Sequence, residues 1–387
     1  MTKSIEAANS APAFTIDGNV LVPLVTGQAR LEALLALIDG AERSLRLLYY
    51  IYADDGAGRA VRDALVRARD RGVAVTLVID GFGSDLPDAF FAPLTGKGAD
   101  ICRFLPRFGR RYLLRNHQKL ILADERAAII GGFNIEDSYF DDAGGWRDLG
   151  IRIEGPAAGR LAGYFDALAK WTRARNPRFR RLRGALSHWS NPGGQTCWML
   201  GGPTRHLSPW AKVLRRDMLA ARRLDLIAAY FAPTPRMLRG IERIVRRGGT
   251  ARIVTAAKSD NQATIAAARH TYHRLLKRGV QLFEYQPTKL HTKLFVIDDV
   301  VHVGSANFDV RSLFLNLEIM LRVEDAGFAA HMRAYVDGEI AASQAITTDM
   351  HEQAGWITRL RWSLAYFLVA VIDGNVTRRL NFGSDGR

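Results

Sequence analysis

Two short patterns in this chain hold residues able to do chemistry on phosphorus. In HQKLILAD, His117 is followed by Lys119 and Asp124; in HTKLFVID, His291 is followed by Lys293 and Asp298. After each aspartate comes a second apolar run and then a glycine-rich turn with an asparagine, GGFN with Asn134 and GSAN with Asn307 and Ser305. Side chains two apart on a strand project to one face, so each His and its Lys share a site. The chain then reverses as a hairpin, and its glycine end brings backbone N–H groups and the Asn amide near the strand start. If two such units pack about a pseudo-two-fold axis, two His, two Lys and two Asn converge on one cleft. One imidazole there would attack phosphorus, the other would protonate the leaving alkoxide, and the lysines would neutralise the non-bridging oxygens. No metal or other cofactor is expected, because a Lys two residues from each His works against a cation. His270 and His273 have an i,i+3 ligand spacing, but with no clear third ligand they read as a helix face.

The elements that must position these groups are legible on both sides of them. Ala29–Asp39 reads as an amphipathic helix, Leu45–Tyr52 as a strand, Gly56–Arg71 as a helix and Val73–Asp80 as a strand ending in the loop GFGSD. That alternation is the rhythm of an α/β layered domain. Further on, GGTARIVTAAKSD (248–260) restates RGVAVTLVIDGFGSD (71–85), LLKRGVQLFEY (275–285) echoes LTGKGADICRF (94–104), and AYFAP (229–233) sits where YYIYA (49–53) sat. The chain is therefore an internal repeat. The expected fold class is α/β, with two similar α/β sandwich domains about a pseudo-two-fold axis and the active site between them. Breakers at Pro177, Pro192, Gly193 and Gly194 place the boundary in 171–196. The expected division is a loose tail over 1–12, a first domain over 13–185, a linker over 186–194 and a second domain over 195–387.

Composition narrows the class of partner. The 387 residues suffice for more than one core, and 48% hydrophobic with 24% charged residues excludes disordered and low-complexity classes. The formal net charge of +15 favours a polyanion: nucleic acid, an anionic membrane surface or a phosphate ester. Two cysteines, Cys102 and Cys197, cannot build a disulfide framework or a Cys-based zinc site, so the reducing cytosol is permitted. The opening MTKSIEAANSAPAF lacks the apolar stretch of a signal peptide, and the longest apolar stretch, eleven residues from Trp362 to Ile372, is too short to span a bilayer.

The quoted motifs resemble the phospholipase D superfamily, whose mark is this duplicated HKD pattern, and the resemblance covers nearly the whole chain. Within it the chain is most similar to bacterial cardiolipin synthases that lack an N-terminal transmembrane pair, on VTLVIDGFGS (75–84), RNHQKL (115–120), IIGGFNIED (129–137), WRDLGIRIEGPA (146–157), LHTKLFVIDD (290–299) and VGSANFDVRSLFLNLEI (303–319). The resemblance implies phosphatidyl transfer between phospholipids through a phosphohistidine, with His117 as nucleophile and His291 as the acid that then deprotonates the acceptor. Sequence alone does not fix that order. It further implies phosphate binding by Lys119, Lys293, Asn134 and Asn307, with Asp124, Asp298 and Glu318 orienting other groups. The first turn has Gly131-Gly132 where the second has Gly304-Ser305, so a hydroxyl contact to phosphate would come from one half only.

The motif fixes the reaction and leaves the substrate open, since the superfamily also holds hydrolytic phospholipases and nucleases. Six arginines between 173 and 183, interleaved with Trp171, Phe179 and Trp189, suit an anionic bilayer interface, a nucleic-acid groove or a solvated linker. Arg107, Arg110, Arg111 and Arg115 lead into His117 and read as a cationic rim on the cleft. In 356–373, Trp356, Leu360, Leu364, Phe367, Leu368 and Val371 form one apolar helical face with Arg359 and Arg361 in its opening turns and Arg378 and Arg379 beyond. That segment either lies in a bilayer interface or closes the second domain's core. With the resemblance it tilts the expectation to lipid over nucleic acid: a cytoplasmic enzyme, peripheral on the inner face of the cell membrane, whose partners are an anionic phospholipid surface, a donor phospholipid and an alcohol or phospholipid acceptor.

Overall fold

The computed structural model describes residues 12–104, 114–190, 193–204 and 207–372. The expected periodicities become helix Gly27–Asp39, strand Ser44–Tyr49, helix Gly56–Asp70 and strand Ala74–Asp80. Helix starts are fixed by side chains at the N-cap: Thr26 accepts from the Ala29 amide and Asp55 from that of Gly58, satisfying N–H groups that the helix itself leaves orphaned. The second half repeats the device with Ser208 and Thr234.

Two eight-stranded mixed sheets result. Across the first, the order is Phe14–Ile16, Asn19–Leu24, Gly150–Glu154, Ala127–Gly131, Leu120–Ala123, Ser44–Tyr49, Ala74–Asp80 and Asp100–Phe104. Across the second it is Thr196–Gly201, Glu318–Glu324, Val300–Gly304, Lys293–Ile297, Arg223–Ala228, Thr250–Ala256, Gln281–Tyr285 and Ser343–Ile346. In each, three parallel strands linked by helices lie beside the antiparallel hairpin that carries the motif. The motif strands are buried on both faces and carry unbroken apolar runs, LILA at 120–123 and, after Lys293, LFVI at 294–297.

One apolar core lies between the sheets and takes residues from both halves. Leu120, Ile151 and Leu161 belong to it, as do Trp198, Leu294, Ile319 and Met332, with helices Pro156–Arg173 and Ala326–Ala341 packed in the same layer. Two further clusters cover the outer faces, one under the helices of each half. The stretch read as the boundary carries helix Phe179–Trp189, whose Leu182 and Leu186 enter the shared core. Its aromatic residues are packing groups: Trp171 stacks on Phe104 at 5.7 Å and donates its N–H to the Arg178 carbonyl.

Candidate active site

Each motif strand is held at its start by the opposite half. Asn116 pairs in parallel with Leu317, the Leu317 amide donates to the Arg115 carbonyl at 2.9 Å, and the His117 amide donates to the Leu317 carbonyl at 3.0 Å. Lys289–Leu290 pairs likewise with Trp146–Arg147, and the His291 amide donates to the Arg147 carbonyl at 2.8 Å. The residue after each crossing segment is a fully buried carboxylate, Glu318 or Asp148. The two orienting contacts are therefore exchanged between halves. Glu318 Oε2 lies 3.2 Å from His117 Nδ1, and Asp148 Oδ2 lies 2.6 Å from His291 Nδ1.

The two carboxylates differ in ways tied to the turn sequences. Ser305 donates its hydroxyl to Glu318 Oε2 and accepts from the Ile319 amide at 3.0 Å. In the first half Gly132 takes that position, and a Cβ there would sit 2.6 Å from the Asp148 carboxylate. The shorter acid needs a glycine beside it and the longer one receives a hydroxyl. This corrects the expectation that Ser305 offers its hydroxyl to phosphate: its one proton is spent on Glu318.

Both lysines are buried beside the histidines. Lys119 donates to the His117 carbonyl at 2.8 Å, and Lys293 donates to the His291 carbonyl. Burial pushes both ammonium groups down, Lys119 well below the ordinary lysine value and Lys293 to about 8, while Asp148 and Glu318 partly restore them. Burial and the neighbouring lysines also hold both imidazoles neutral, His117 well below its usual value and His291 at about 3. Glu318 is driven up to about 8 by burial. Burial works the same way on Asp148, but His291 and Lys293 outweigh it and keep that carboxyl low, so a neutral His291 donates Nδ1–H to an ionised acid. Asp148 and Glu318 each act on the charge of both Lys119 and Lys293, which makes one site of the two motifs.

Aromatic rings wall the site. Tyr50 lies 5.1 Å from the His117 ring, and Tyr139, Trp146 and Tyr230 lie 5.1, 5.3 and 6.5 Å from that of His291. Asn134 accepts from the Ile51 amide at 3.1 Å and bonds the hydroxyl of Tyr139, the ring that packs against His291. Asn307 is buried in the matching position, and its Oδ1 has no partner among the described residues.

Asp124 and Asp298 are not brought to the cleft. Each sits at the hairpin turn with φ near 50°, seven residues and about 20 Å of strand from its histidine. The Asp124 carboxylate accepts from the amides of Glu42, Arg43 and Ser44, and that of Asp298 from Arg222 and Arg223. They fasten the hairpin to the start of the neighbouring strand. Arg115 places its guanidinium 3.8 Å from the Phe82 ring centre, while Arg107, Arg110 and Arg111 lie outside the described residues. Asp148 and the ring pair Tyr50 and Tyr230 were missed in the sequence. Aligning WRDLGI (146–151) with NLEIML (316–321) sets Asp148 against Glu318, and the paired stretches YYIYA and AYFAP set Tyr50 against Tyr230.

A family model described as cardiolipin synthase, PLD-like domain, matches residues 34–169 and 215–339, one segment per half. Cardiolipin synthase B of Escherichia coli strain K12 is 31% identical over 367 residues, covering 92% of this chain and 87% of that protein. Cardiolipin synthase A of Pseudomonas putida strain KT2440 is 28% identical over 90% of this chain and 74% of that protein. Among solved structures, a phosphatidylserine synthase of Haemophilus influenzae Rd KW20 superposes with a TM-score of 0.71 over 98% of this chain and 99% of that one; at 12% identity it speaks to the fold alone.

Proposed function

Since the chain belongs to the family of cardiolipin synthases with a phospholipase D-like domain, we propose that it is a phosphatidyltransferase that makes cardiolipin. The reading is carried by one observation: two neutral imidazoles, each oriented by a carboxylate of the opposite half, stand beside two buried lysines. His117 attacks the phosphorus of a donor phospholipid through Nε2, forming a P–N bond. The bond to the head-group oxygen breaks, and His291, protonated at Nε2 once the phosphodiester's negative charge has entered the site, gives that oxygen its Nε2 proton. The resulting imidazole then takes the proton of an acceptor phospholipid's hydroxyl, whose oxygen displaces His117.

Charge follows the same course. A phosphodiester carries one negative charge into a site whose lysines and His291 are held down by burial, so its arrival favours their protonated forms. Lys119, Lys293, Asn134 and Asn307 hold the non-bridging oxygens in this reading. Asp124 and Asp298 act on the frame rather than on phosphate. No helix among the described residues is long and apolar enough to cross a membrane. In this reading the enzyme works at the inner face of the cell membrane, where its phospholipid substrates lie.

The test is to incubate purified protein with labelled phosphatidylglycerol vesicles and, separately, with plasmid. Cardiolipin with release of glycerol is expected. Phosphatidic acid as the main product would make water the acceptor, and nicked plasmid with untouched lipid would overturn the lipid reading.

A further inference from the structure

Helix Trp356–Tyr366 and the turn Phe367–Ile372 that continues it have two unlike faces. On one, Tyr366 donates its hydroxyl to the Pro233 carbonyl at 2.9 Å and stacks on His270 with ring centres 4.6 Å apart. Ala370 is buried there with Ala232 and Ala267. On the other, Trp356, Ile357, Leu360, Leu364, Phe367 and Leu368 are 49–74% exposed. Their spacing sets them on one helical stripe, and they are six of the ten large apolar side chains exposed among the described residues. Single exposed apolar residues need no explanation, but a contiguous stripe does. So the segment packs by one face and leaves the other uncovered.

The charge around the stripe says what covers it. From 356 to 372 there are two arginines, Arg359 and Arg361, and no acidic residue. Beside it, helix Pro235–Arg246 turns Arg236, Arg239, Arg243 and Arg246 outward over a groove of about 1050 Å³ floored by Leu214 and Met218. The carboxylate in its lining, Glu242, is taken up by Arg274. Arg274 and His270 are one turn apart on helix Gln262–Leu276. That helix therefore meets the arginine helix at one residue and Tyr366 at the other, which sets stripe and groove side by side. Apolar side chains flanked by arginines match the acyl boundary and phosphates of an anionic bilayer.

The stripe also leads to the cleft. Pro233, which anchors Tyr366, is three residues past Tyr230, whose ring faces His291. Tyr230 in turn donates to Asp260, just ahead of the helix that carries His270.

We propose that the stripe Trp356–Leu368 and the arginine-lined groove beside it form one membrane-docking face, which seats the protein on anionic phospholipid with the catalytic cleft opening toward it. The proposal rests on the lipid reading above and adds the surface that meets the bilayer. Six apolar side chains enter the acyl boundary, and the arginines take lipid phosphates.

The experiment compares the full chain with a stripe variant, Leu360→Ser, Leu364→Ser and Phe367→Ser, and a groove variant, Arg236→Gln, Arg239→Gln and Arg243→Gln. Flotation uses phosphatidylcholine vesicles with and without phosphatidylglycerol, and turnover is measured on monomeric short-chain phosphatidylglycerol. The unmodified protein is expected to float with the anionic vesicles only, and less so at high salt. The stripe variant should lose at least about tenfold in vesicle binding with turnover of the monomeric lipid unchanged, and the groove variant should lose its preference for anionic vesicles. Should the stripe variant not fold, quenching by brominated lipid in the unmodified protein, set against Trp356→Phe, reads the same contact. Undiminished flotation of the stripe variant, absence of Trp356 quenching, or a dimer that the stripe substitutions dissociate would each overturn the proposal. A protein inert on both monomeric and vesicular lipid would instead overturn the lipid reading itself.

Discussion

At the scale of residues, two histidines of one type are made unlike by their acids. His291 faces an ionised Asp148 at 2.6 Å, and His117 faces a Glu318 that shares its oxygen with Ser305. Replacing either histidine by Ala should cost at least the ~10²-fold typical of lost nucleophilic or acid–base help. Steady-state assay of both variants checks this, and full activity in His291→Ala would end the single-site account. A pH profile tests the lysine. Lys293 has its value at about 8, so its charged form is present below that pH and lost above it, and kcat/KM should fall by about a decade per unit on the alkaline side. In Lys293→Arg the limb should move to higher pH; a limb unmoved near 8 would belong to Glu318, which titrates in the same range. Dialysis against EDTA should leave the rate unchanged, since the lysines stand where a metal would offset phosphate charge. Activity lost to chelation and restored by Mg²⁺ or Zn²⁺ would contradict that. Histidine, lysine and asparagine were legible here because their type and spacing repeat, whereas Asp148 stands inside an ordinary strand sequence and gains meaning only from the partner half.

At the scale of elements, the aspartate of each motif belongs to the frame. Asp124 adopts φ 53° at a hairpin turn and accepts three backbone amides, and its pKa is lowered by those bonds against the opposing effect of burial. A carboxyl group held below its unfolded value stabilises the fold above that value, and the contribution is lost as pH falls through the folded one. Asp124→Ala should therefore cost about 1–2 kcal/mol at neutral pH, at the low end for charged hydrogen bonds because the site is partly exposed, and should leave turnover unchanged. Asp124→Asn tolerates the left-handed turn and keeps an acceptor, so it should retain most stability while flattening the acid limb below pH ~4. Chemical denaturation across pH measures both, and a loss of turnover in folded Asp124→Asn would return the residue to the chemistry. The strand and hairpin around it followed from the apolar runs on either side of the aspartate, as the helices followed from their amphipathic period. The destination of the carboxylate did not, because residues 42–44 and 124 are joined by sheet order, which no local pattern encodes.

At the scale of the molecule, the repeat foretold two similar halves with a site between them, but similarity of sequence says nothing about how deeply they join. The join is extensive. Arg147 of the first half donates to Glu339 of the second at 2.8 Å, and Trp198 of the second donates to the Ala157 carbonyl at 2.8 Å. The core between the sheets draws on both. Halves with separate cores would unfold separately; halves sharing one should unfold together, because neither retains its inner face alone. Leu290 is a fully buried member of that core and lies in the strand that crosses to Trp146–Arg147. Leu290→Ala should cost about 2–5 kcal/mol, the range for a leucine lost from a well-packed core. If the two halves are one cooperative unit, calorimetry shows a single transition that moves down as a whole, and hydrogen exchange rises as much in strand Leu120–Ala123 as in Lys293–Ile297. Two resolved transitions, or an effect confined to the second half, would show that the halves are held together at the site while unfolding apart.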